Sequence, residues 1–99
     1  MHRGTRRIER WQIDEVERFL ERVFAGSRIE HYPRGGHVAH LFVVTEALLG
    51  EKRPPPHQLL VTGHFFARFK DSIALEQALI GGDVAQQLAR AGDRTVELY

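Results

Sequence analysis
The sequence predicts a small α+β protein, a small sheet containing a β-hairpin with helices packed on one face. Three observations carry that expectation. An amphipathic stripe fills residues 11–25, two strand-like runs flank a Pro-Arg-Gly-Gly turn at 33–36, and consecutive prolines at 54–56 break the chain before a second half of mixed character. With 99 residues, 42% hydrophobic and 27% charged, the chain is long enough for one core and too short for two. It divides into a basic N-terminal arm over 1–10 and a single domain over 11–99.

In the first element Ile13, Val16, Phe19, Leu20, Val23 and Phe24 recur at helical spacing between charged residues, giving one apolar face. Gly26 follows as a cap, since a helix often ends on a residue in the left-handed conformation. Residues 28–32 and 38–45 are rich in strand-forming side chains and read as the two arms of the hairpin. The segment 57–70 satisfies two patterns at once. Leu59, Val61, Phe65, Ala67 and Phe69 alternate as in a strand, whereas Leu60, Val61, His64, Phe65 and Phe69 fit a helical stripe. A helix is preferred because the prolines just ahead suit a helix start. A strand over 73–77 follows, then a helix from Asp83 through Arg90 capped reciprocally by Asp83 and Gln86, ended by Gly92, and a terminal strand over 95–99. The expected order is α-β-β-α-β-α-β.

A formal net charge of +1 steers the whole molecule toward neither nucleic acid nor acidic partners. Locally, Arg3, Arg6, Arg7 and Arg10 meet only Glu9, so the arm reads either as a phosphate-binding segment with Trp11 for stacking or as a solvated terminus. Lys52 and Arg53 admit the same two readings. The absence of cysteine excludes disulfides, thiolate zinc sites and thiol nucleophiles. No apolar run reaches the roughly 18 residues of a spanning helix, and the first residues lack a signal-peptide core, so a cytoplasmic protein without membrane association is expected.

"HYPRGGHVAH", residues 31–40, is the stretch richest in metal-ligating side chains. A regular hairpin turning at 33–36 sets His31 opposite Val38 and Ile29 opposite His40, which makes His31 and His40 diagonal neighbours about 7 Å apart on one face. His37 then points to the other face. His31, His37 and His40 are the metal candidates, for zinc or iron, with His57 or His64 as remote third ligands. The alternatives are hairpin histidines without a ligand role, or a pH-responsive patch. Ser27 and Ser72 lack the setting of a nucleophile, "LIGGD" lacks the lysine and spacing of a phosphate loop, and Asp14 and Glu15 suit a solvated helix face. No catalytic residue is assigned, and no cofactor beyond such a metal is expected.

Several short motifs share their spacing with a known family. "VERFLERVF" looks like a first helix, "IEH" a first strand, "VVTEALLG" a strand and turn of the form V-V-S-[DE]-x-F-x-G, "HQLL" a His-Arg-x-Val helix start, and "IAL" a His-Ala-Leu segment. In these, residues 16–77 resemble the BolA-like family, small α+β proteins related in shape to KH nucleic-acid modules. The resemblance implies a module that docks a protein partner, with His57 and the loop 51–56 marking the partner face, so Arg53, Pro55 and His57 are its expected contacts. The family histidine that supports cluster binding falls on Ile73, which cannot ligate a metal, and Pro56 and Gln58 replace the arginines flanking the matched histidine. A fainter similarity links "AGSR", "HLFVV" and "LIGGDVAQQLARAGDRTVEL" to nucleotidyltransferases. There Ala39 and His40, or Glu97 and Tyr99, stand where magnesium carboxylates belong, which implies a degenerate copy.

The resulting expectation is a non-catalytic binding or adaptor module for a protein partner. A nucleic-acid module using Arg3, Arg6, Arg7 and Arg10 is the first alternative, and a degenerate nucleotidyltransferase-like or histidine-metal protein the second. Six phenylalanines, more than one short helical stripe buries, make a homodimer worth testing.

Overall fold
Helix α1 (Arg10–Val23) starts on a polar latch. The Glu9 backbone N–H donates to Gln12 Oε1 at 2.8 Å, and the amide of the same buried Gln12 donates to the Phe66 carbonyl at 3.2 Å, so one side chain both caps α1 and ties it to a distant turn. The structure, a computed structural model, describes residues 8–36, 38–46 and 55–99. Val16, Phe19 and Leu20 form the buried stripe of α1, as their spacing predicts. Gly26 lies at φ 84, the left-handed geometry expected just past the helix.

Strands β1 (Arg28–Arg34) and β2 (Ala39–Thr45) form the hairpin. The turn lies two residues later than its composition suggests, because Gly35 and Gly36, at φ 56 and 66, supply the paired left-handed residues that match the twist of the strands. His31 therefore pairs with Phe42 rather than Val38, a slide of four residues. An even slide leaves every side chain on its predicted face.

The middle of the chain exchanges two expected elements. Residues 57–70 are not one helix: His57–Thr62 is strand β3, followed by a single helical turn, α2 (Gly63–Phe66). Alternation wins there because His57, Leu59 and Val61 all enter the core while Gln58, Leu60 and Thr62 stay half-exposed. Thr62 ends the strand, its hydroxyl accepting from Phe65 N–H at 3.1 Å and donating to the Leu98 carbonyl at 3.0 Å. The expected strand at 73–77 is instead part of helix α3 (Ser72–Gly81), capped by Asp71 Oδ1 on Ala74 N–H at 2.8 Å. Ala74, Leu75, Glu76 and Gln77 are strong helix formers, and Asp71 ahead of them is a helix-start residue. "HQLL" is accordingly strand, not the helix start that the family resemblance implies, and "IAL" is helix.

Helix α4 (Val84–Ala91) falls where expected, but Asp83 does not cap it through its side chain. Its backbone is left-handed at φ 58, and its carboxylate lies 3.7 Å from Arg90; Gln87, not Gln86, reaches back to the Gly82 carbonyl at 2.7 Å. Strand β4 (Thr95–Leu98) completes a four-stranded sheet of order β1-β2-β3-β4, antiparallel except for the parallel β3–β4 pair. A parallel pair needs a crossover, and α2, α3 and α4 supply it. Among the described residues the main core cluster comes from the helices and from one sheet face, Phe42, Val44, Leu59, Val61 and Val96, while Ala39 and Leu41 are buried on the other face at 8% and 7% exposure. The molecule is thus the small α+β protein expected, with helices on a single side of the sheet.

Candidate functional site
Two histidine sites lie on the helix-covered side of the sheet, at different strands. His31 and His40 meet as their shared face requires: His31 Nδ1 and His40 Nε2 are 2.8 Å apart, and both rings pack against Phe42. One nitrogen donates and the other accepts, so the facing pair holds one proton between two rings. His40 is only 6% exposed and His31 half-buried. The pair supplies two donors, and among the described residues no group of three histidine, aspartate or glutamate side chains is placed to hold a metal. His37, the third metal candidate, lies outside the described residues, and His64 is exposed on α2.

His57, expected at a helix start on the partner face beside the loop 51–56, has a different setting. It is the first residue of β3 and points inward, 8% exposed, because Val44 opposite it and Leu59 beyond it share the core face. Its Nε2 is 2.7 Å from Glu46 Oε2 and its Nδ1 3.3 Å from the Gly92 carbonyl, while Phe24 packs on the ring at 5.0 Å between centroids. Both partners are acceptors, so whichever ring nitrogen carries the proton meets a protein acceptor. The imidazole clasps the exit of β2, the turn before β4 and the end of α1, with neither nitrogen left for a substrate. Pro55 is exposed just ahead of it; Arg53 lies outside the described residues, as do Lys52, Arg3, Arg6 and Arg7. Arg10 is exposed on the first turn of α1 and paired with Asp14 at 3.0 Å.

The side of the sheet away from the helices was not foreseen as a site. Alternation along the strands places Tyr32, Leu41, Val43 and Leu60 there. Tyr32 is 45% exposed, Val43 and Leu60 are half-buried, and Leu41 lies at the floor of a cavity of ≈ 310 Å³ walled by Arg34, Gln58, Leu60, Thr95 and Glu97. The charges of this face balance: Arg28 and Arg34 stand with Glu30 and Glu97, and Arg28 is 3.3 Å from Glu30. A signal did exist in the sequence. "AHLFVV" is an unbroken apolar run bar its histidine, and such runs belong to strands covered on both faces rather than one.

Comparison with family models, characterised proteins and solved structures finds no match to this chain. Among the described residues no helix is long and apolar enough to cross a membrane. Site and fold therefore carry the functional reading.

Proposed function
We propose that the protein is a non-catalytic binding module that docks a protein partner on the uncovered face of its sheet. The observation that supports this reading is the mismatch between strand and cover: β2 is apolar toward both faces, yet among the described residues the helices pack on only one. The patch has the make-up of a docking surface, with exposed Tyr32 and half-buried Leu60 around the buried Leu41 and a polar rim about them. Its balanced charge favours protein over nucleic acid, whose phosphates call for a net positive surface. The commitment of both His57 nitrogens to protein acceptors supports a structural rather than an acid–base role.

The test is a photo-crosslinking amino acid placed in cells at position 32 or 60, with Ala89, exposed on α4, as the control position. The reading expects a distinct protein adduct from 32 and 60 and none from 89. Adducts to nucleic acid alone, to a second copy of the chain alone, or equally from all three positions would overturn it in favour of the nucleic-acid module, the homodimer or non-specific contact respectively.

A further inference from the structure
The two edges of the sheet are built differently. β1 carries Pro33, which removes a backbone donor, and Arg28, Glu30 and Arg34, all devices that discourage another strand from pairing there. β4 has no proline, and helix α4 runs beside it. A groove of ≈ 400 Å³ lies between them, lined by Gln87, Arg90 and Ala91 of α4 and by residues 94–97. Successive strand residues point to opposite faces, so a groove touching Thr95, Val96 and Glu97 in a row follows the edge of the strand and not either face.

The charge of this groove selects its occupant. Arg90 and Arg94 both line it and are exposed; among the described residues Arg90 is held by a 3.7 Å contact to Asp83, and Arg94 Nε by a 3.5 Å contact to the Ala91 carbonyl. Each guanidinium therefore retains donors for a carboxylate. The one acidic wall residue, Glu97, accepts the Tyr99 hydroxyl. We infer that the β4 edge and α4 together form a groove for an extended acidic peptide segment, which adds to the sheet as a fifth strand and sets its carboxylates on Arg90 and Arg94. Backbone pairing supplies the affinity of such an arrangement, and the arginines supply its preference. The inference rests on the binding-module reading and adds a contact separate from the uncovered face.

The probe is a short peptide of alternating glutamate and valine, blocked at both ends, with an alternating lysine and valine peptide as control, titrated onto the full chain. The glutamate peptide is expected to bind and the lysine peptide not to. Arg90→Glu/Arg94→Glu should weaken binding roughly tenfold or more, with an unchanged thermal melt because both side chains are exposed. N-methylation of every second residue should abolish binding in one phase and spare it in the other, which attraction by charge alone would not do. Equal binding of both peptides, indifference to both N-methyl phases, or no binding at all overturns the groove. In each of those cases crosslinking from position 32 still reports on the module reading, so the two fail separately.

Discussion

His57 and His40 are both buried against the sheet, His40 with the half-buried His31 beside it, yet they are held in opposite ways. His57 joins segments far apart in sequence: Phe24 after α1, Glu46 after β2 and Gly92 before β4. The pair joins two strands of one hairpin that the turn already holds together. A contact between distant segments acts on the folded state alone, whereas a contact across a tight turn adds little to what local structure provides. Burial alone does not therefore rank the two.

The largest expected effect follows from this. His57→Ala removes a buried ring together with its contacts to the Gly92 carbonyl and the Glu46 carboxylate, and should cost about 2–4 kcal/mol in urea unfolding. Glu46 is partly exposed, so the loss comes mainly from packing and from the contact to the carbonyl. Gly92, at φ 64, belongs to the same clasp, and its left-handed backbone would be strained by any side chain. The comparison breaks if His31→Ala is as damaging as His57→Ala.

Next is the pair itself. In a double-mutant cycle, His31→Ala and His40→Ala should show a coupling of about 0.5–1.5 kcal/mol, the size of one net hydrogen bond. A coupling near zero would mean that Phe42, which touches both rings, holds each without the other. A third contact separates burial from reach. Arg22 and Glu76 link α1 to α3 at 2.6 Å, farther apart in sequence than any of these contacts of His57, but near the surface. Their cycle should give only about 0.2–1 kcal/mol and fall with added salt; a value matching the loss at His57 would show that reach outweighs burial.

The same contrast explains how much could be read from the sequence. Periodicity within one element was legible: the stripe of α1, the hairpin arms, α4 and β4 all fall near their expected places. The face shared by His31 and His40 was legible too, because it depends on parity and survived a four-residue slide of the register. The exchange of strand and helix over 57–81 was not, since a short apolar run fits both periods and only the neighbouring strands decide between them. Nothing local marks Glu46 or Gly92 as partners of His57, and the turn preceding β4 meets the start of β3 only after the crossover is complete. The uncovered face was written in the continuous apolar run of β2, but its meaning depended on knowing where the helices go.

The smallest effect lies at the chain end and concerns protonation rather than stability. The Tyr99 hydroxyl donates to the Glu97 carboxylate, which raises the phenol above the ordinary tyrosine value of 10.0, first through that hydrogen bond and then through slight desolvation and the repulsion a phenolate would meet from the carboxylate. Because the folded value is the higher one, whatever the contact contributes is fully present below pH 10 and is lost as the pH rises through the folded value. The phenol is fully exposed, so the unfolding curve should barely register the change. A tyrosinate absorbance titration should register it clearly. In a Tyr32→Phe background, where Tyr99 alone reports, the midpoint should lie above 10 and move back toward that value in Glu97→Gln. If Glu97→Gln leaves the midpoint unchanged, Glu97 is not held by Tyr99.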